Sequence, residues 1–98
     1  MGYYYSPFVS HCVRFYAKFP NATRFASNVD KRNWEAVKKT LDKYPHNEAT
    51  MLVKVYDSGN IECNINSISR KIGMDKSSFW KIIRSFEHSV AKNRGIVC

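Results

Sequence analysis

The chain has 98 residues, 16 Lys+Arg against 8 Asp+Glu for a formal net charge of +8, and 44% hydrophobic residues including two Trp, six Tyr and six Phe. That length holds one compact domain, and so apolar and aromatic a composition excludes a disordered tail. No uninterrupted apolar run exceeds three residues, so neither a membrane-spanning helix nor a signal-peptide core is expected, and the chain is assigned to the cytoplasm.

In chain order, Ser6-Pro7 reads as the cap and first residue of a helix, because proline lacks only an amide hydrogen that would be unpaired there. Phe8, Val9, Cys12, Val13, Phe15 and Tyr16 suit one face of it, and Pro20 ends it. Residues 21–29 are expected to be a loop. Asp30 is the expected cap of a second helix with Trp34, Val37, Leu41 and Tyr44 on one side, stopped by Pro45. Asn47 is the expected cap of a third, carrying Met51, Leu52, Val55 and Tyr56 and closed by Ser58-Gly59-Asn60. Residues 61–65 read as a connection, and Ile65, Ile68 and Ile72 mark a short fourth helix ending at Gly73. Asp75 caps the last helix, over about 76–92, with Phe79, Ile82, Ile83, Phe86 and Val90 as its inner face. The fold class is therefore all-α, with about five helices. Residues 1–29 form an aromatic helix and loop, either a partner arm or a cover for the core, and residues 30–98 form the helical domain with a helix-turn-helix at 65–92.

The charge is uneven. Residues 1–29 carry +3, residues 30–60 carry +1 and residues 61–98 carry +4. The middle thus resembles an ordinary solvated surface, and the ends attract polyanions, nucleic acid first and acidic protein second.

The last two helices meet the spacing demands of a helix-turn-helix: Ser69 as the small residue at the crossing, Ile68 and Ile72 beside it, Gly73 in the turn, Met74 as an apolar plug, and Phe79 and Ile82 as anchors. From about Lys43 to Ile96 the chain resembles the fourth region of sigma-70-type factors and related phage regulators. The resemblance rests on Val55-Tyr56-Asp57-Ser58-Gly59, Ile68-Ser69-Arg70-Lys71-Ile72-Gly73 and Asp75-Lys76-Ser77-Ser78-Phe79. It departs from the family where Asn47-Glu48-Ala49-Thr50 replaces an acidic, Arg-rich helix start, where the connection over 60–66 is longer, and in having no promoter-melting region, so it does not imply a complete sigma factor. The opening Tyr-Tyr-Ser-Pro-Phe-Val is also similar to small proteins of phage and mobile elements.

The resemblance implies a duplex DNA-binding regulator of phage or mobile-element type whose last helix enters the major groove. Lys76, Ser77, Trp80, Lys81 and Arg84 are the expected base-reading residues, and Arg70, Lys71 and Lys92 the expected phosphate contacts. Trp80 either wedges against a thymine methyl or a sugar, or folds back onto the connection or an N-terminal aromatic. For the bases together, the alternative is a solvated helix face.

Eight aromatics fall within residues 1–25. They read either as packing for the first helix or as a dimer or partner surface built from Tyr3, Tyr4, Tyr5, Phe8 and Phe15, which would contact a second copy, RNA polymerase or another host protein. The rival functional reading is a phage-type inhibitor that grips a host nucleic-acid enzyme; RNA binding by the same face is a third. Enzymatic activity is not expected, since His11, His46 and His88 are scattered and neither a Gly-rich phosphate loop nor a nucleophile elbow is present. No cofactor or metal site is expected: Cys12, Cys63 and Cys98 lack metal-ligand spacing and read as reduced thiols. The sequon Asn21-Ala22-Thr23 is read as chance.

Overall fold

A computed structural model describes residues 4–97. Among them are five helices and no strand: α1 (Ser6–Lys18), α2 (Asn28–Leu41), α3 (His46–Asp57), α4 (Ile61–Ile72) and α5 (Lys76–Arg94). The all-α expectation holds. Tyr3 and Cys98 lie outside the described residues.

The helix starts differ from expectation, each for a local reason. In α1, Tyr5 takes the cap position and Ser6 is already helical, so Pro7 falls at the second position, where its missing amide is equally harmless. The Ser6 hydroxyl is thereby released for a distant partner. In α2, Ser27 is the cap, accepting from the Asp30 amide at 3.1 Å. Asp30 sits in the first turn instead, where its charge favours the helix dipole. α3 begins at His46, directly after Pro45 in extended geometry, which puts Asn47 inside the first turn. The segment 61–65 is not a connection but the first turn of α4. Asn60 caps it, accepting from the Cys63 amide at 3.0 Å. α5 runs two residues beyond the expected end, to Arg94, and stops at Gly95 with φ +87°.

One core joins all five helices. Val9, Cys12 and Val13 of α1, Val37 of α2, Leu52, Val55 and Tyr56 of α3, Ile65 of α4 and Phe79, Ile83, Phe86 and Val90 of α5 are completely buried. Residues 1–29 therefore do not stand apart from 30–98 as an arm: α1 supplies part of the core, and residue 29 lies inside α2. Tyr44 meets Phe86 edge-on while Thr40 and Asn33 bond Asn93 and Arg94, so α2 runs antiparallel to the second half of α5. The first half of α5 extends past it to pack on α4.

Buried polar groups hold the helices in register. Glu87 is 4% exposed, and both its oxygens are used. Oε1 accepts from Ser6 Oγ at 2.8 Å and Oε2 from the Tyr56 hydroxyl at 2.7 Å. A buried carboxylate is tolerable only when so satisfied. Arg14 donates to the Tyr56 and Gly59 carbonyls at 3.1 and 3.0 Å, and the Asn64 amide donates to those of Val55 and Ser58, closing the carbonyl end of α3. Trp34 Nε1 donates to the Phe19 carbonyl at 2.8 Å, pinning α2 to the end of α1.

Burial pushes the Tyr56 phenol above its usual range, reinforced by the charge of Glu87 and the bond to it. Burial pushes the Cys12 thiol up to about 11, against the opposing charge of Arg94. Both groups are thus held protonated in the fold. The stability they confer is complete below their unfolded values, 9.0 for the thiol and 10.0 for the phenol, and is lost as pH rises through the folded ones.

Tyr56→Phe is expected to lower unfolding free energy by about 2 kcal/mol in urea titrations, because it leaves a buried carboxylate oxygen without its donor. It should also flatten the alkaline limb of the stability curve. In a Cys98→Ser background, a thiol reagent at pH 8 should label the exposed Cys63 at once and the buried Cys12 only on unfolding. Equal labelling rates would contradict the burial of α1.

Candidate nucleic-acid interface

The turn between α4 and α5 is built by backbone geometry. Gly73 takes φ +69° and ψ +27°, the left-handed conformation that costs other residues most. It lets the Met74 amide reach back to the Ser69 carbonyl at 2.9 Å and its own amide reach the Arg70 carbonyl at 3.3 Å. Met74 then packs against the core as the expected plug, and Ser69, 5% exposed, sits buried near the crossing. Asp75 caps α5 by accepting from the Ser77 amide at 3.1 Å. Phe79 is completely buried as expected. Ile82 is half-buried and packs against the core, whereas Ile72 is 45% exposed and does not close it as the spacing implied.

α5 separates charge from core. Its single carboxylate, Glu87, points inward, while Lys76, Lys81 and Lys92 are exposed and Arg84 half-exposed. At about 100° per residue, Ser77, Lys81, Arg84, His88 and Lys92 form one outer stripe opposite Phe79, Ile83 and Val90. Their spacing of i, i+4, i+7, i+11 and i+15 could have identified that stripe in the sequence. His88 belongs to it, and a 3.2 Å hydrogen bond links its Nδ1 to the Tyr5 hydroxyl. Ser85 is exposed beside it. Arg70 and Lys71, exposed on the last turn of α4, flank the start of α5. No salt bridge engages them: among the described residues the one ion pair is Lys38–Asp42 at 3.2 Å.

Three expected site residues lie apart from Lys81 and Arg84, and of the two places expected for Trp80 the structure takes the folded-back one. Trp80 does not project from the helix with Lys81. It lies about 100° away on the flank facing α1, half-buried against the core, and lines a small cavity with Ser6, Pro7, Ser10, Ile61 and Glu87. Lys76, about 140° round the helix from Lys81, is exposed but off the stripe. Lys92 shares the stripe yet stands about 16 Å along the axis from Lys81, far from Arg70 and Lys71.

The aromatic amino end is largely consumed by packing. Tyr5 is 5% exposed, and Phe8 is half-buried under the Arg94 guanidinium, 5.8 Å from its ring centre. Phe15 is half-buried in a cluster with Phe19 and Phe25. Tyr4, 82% exposed, is the described member of the set that faces outward. A partner surface made of all five aromatics is therefore not present as such, because α1 needs most of them to seal its own contacts.

Among the described residues no group of His, Cys, Asp and Glu is arranged to hold a metal ion, and no helix is long and apolar enough to cross a membrane. No protein-family model, curated protein or solved structure matches the chain.

Gly73→Ala is expected to destabilise the fold by about 1–2 kcal/mol through backbone strain alone, since an added Cβ would meet nothing within 4 Å. Gly73→Asn should cost less, because asparagine tolerates this conformation. Urea unfolding of the two variants measures the difference.

Proposed function

We propose that the chain binds duplex DNA through α4, the Gly73 turn and α5, as a helix-turn-helix regulator of the phage or mobile-element kind. The observation that carries this reading is the segregation of charge on α5: the one carboxylate is buried and bonded, and the outer stripe is cationic along its length. A solvated helix of ordinary composition mixes both signs on its outer face. A stripe of one sign on a helix backed by a tight turn matches the electrostatic demand of a groove lined by phosphates.

In this reading Lys81 and Arg84 reach the two acceptors of guanine, and Ser77 contacts a base or phosphate near the start of the helix. Arg70 and Lys71 bond phosphates on the groove edge, helped by the positive end of the α5 dipole. Lys76 serves a phosphate rather than a base, given its place off the stripe. Trp80 acts from the inside, bracing α5 against α1 and α4. One such helix reads few base pairs, so a second DNA-bound copy or a contact with polymerase completes the affinity.

Fluorescence anisotropy on a random duplex across a salt series tests the reading. The affinity should fall as salt rises, with Arg70→Ala/Lys71→Ala lowering the magnitude of the logarithmic slope by about 1.8, about 0.9 per lost phosphate contact, and Lys81→Ala/Arg84→Ala weakening binding further. No binding at low salt rejects the reading and favours an acidic protein partner instead.

A further inference from the structure

A cavity of about 230 Å³ opens between α1, α4 and α5, lined by Ser6, Pro7, Ser10, Ile61, Trp80 and Glu87. Trp80 and Glu87 stand two turns apart on one flank of α5, so the indole and the carboxylate share a wall. Oε1 is the carboxylate oxygen on this side. Its donor, Ser6, lines the cavity, while Tyr56, the donor to Oε2, does not.

The two hydrogen bonds leave the charge of Glu87 without an opposite charge. Both donors are neutral hydroxyls, and among the described residues no Lys, Arg or His forms an ion pair with it. A carboxylate offers about four acceptor sites, one used here on each oxygen. At 4% exposure, bulk water reaches little of what is left. A buried charge is ordinarily met by an opposite charge or a metal. On the same wall the Ser10 hydroxyl has no hydrogen-bond partner among the described residues.

The lining selects the kind of cation. Hard inorganic cations collect about six or more oxygen ligands, and a wall made half of Pro7, Ile61 and Trp80 does not offer them. Among the described residues no group of His, Cys, Asp and Glu is arranged to hold a metal. An organic cation suits both halves: an indole attracts a positive charge, and the aliphatic surface accepts an alkyl chain. We infer that the cavity binds a primary ammonium group on a short alkyl chain. The three N–H donors of the ammonium go to Glu87 Oε1 and the Ser6 and Ser10 hydroxyl oxygens, and the chain lies against Trp80, Ile61 and Pro7. The inference does not depend on duplex binding, because Trp80 lies about 100° round α5 from Lys81.

Titration of the full chain with n-butylammonium chloride, followed by NMR at the Trp80 indole N–H, tests the site. That signal, identified by its loss in Trp80→Phe, should shift to a plateau. Neither n-butanol nor sodium chloride at the same concentrations should produce one. Glu87→Gln keeps the side-chain shape and removes the charge, so it should weaken binding by about tenfold or more, the weight of a hydrogen bond to a charged group. Ser10 is half-buried at the cavity, so Ser10→Leu fills the space and leaves Glu87 both its donors. It should abolish the plateau with a wild-type circular dichroism spectrum, and it decides the matter if Glu87→Gln does not fold. A shift that n-butanol reproduces, a shift that never saturates, or unchanged binding in either folded variant overturns the inference.

Discussion

The rotation of α5 about its own axis decides which residues face solvent, and the buried Glu87 carboxylate sets that rotation. Its two oxygens are held by Ser6 from α1 and Tyr56 from α3, so three helices meet at one charged group. Turning α5 by one residue would pull Glu87 from both donors and expose apolar surface from Phe86 or Val90. A charge paired this way is costly to disturb from either side, because the remaining partner would be buried without compensation. The outer stripe of Ser77, Lys81, Arg84, His88 and Lys92 is the other face of the same constraint. With Glu87 satisfied inside, no acid remains on the helix to dilute it.

Several cations that contribute to the net charge of +8 are committed to internal work. Arg14 closes the carbonyl end of α3, where a cation also suits the helix dipole. Arg94 is fixed between Asn33 and Phe8. Lys38 is paired with Asp42 on the surface of α2, a contact of small energetic weight. Of the rest, Arg70, Lys71, Lys76, Lys81, Arg84 and Lys92 lie on the turn and α5, Arg32 and Lys39 on a flank of α2, and the others are scattered over the exposed surface. The middle of the chain looked neutral when its charges were summed. The fold keeps that balance on α2, where Arg32 and Lys39 share a cavity with Glu35.

Much of the architecture was legible in residue patterns. Proline, glycine and apolar spacing placed all five helices, and the inner faces of α2 and α5 follow the 3.6-residue period closely. Gly73, Met74 and Asp75 announced the turn, whose geometry depends on the chain within a few residues of it. The helix starts were less legible, since Ser6, Ser27, Asp30, Asn47 and Asn60 are all chemically capable caps. Which one served depended on competing demands: Ser6 was taken by Glu87, and Asn60 extended α4 backwards once Asn64 had found the carbonyls of α3. Trp80 stayed undecided for the same reason: residue spacing allowed it to project or to fold back, and the closure of α1 and Ile61 over its flank selected the second.

Sequence alone determined the class of fold, the glycine turn between α4 and α5 and the excess of bases near the carboxyl end, because each depends on local periodicity or on counting. Tertiary structure alone decided that the aromatic amino end is core rather than arm, that the only acid of α5 is internal, and that Arg32, Lys39 and Arg94 share one cavity. Those outcomes join residues up to eighty-six positions apart, as Phe8 and Arg94 are. Contacts of that range are set by how helices cross, and no local periodicity encodes the crossing.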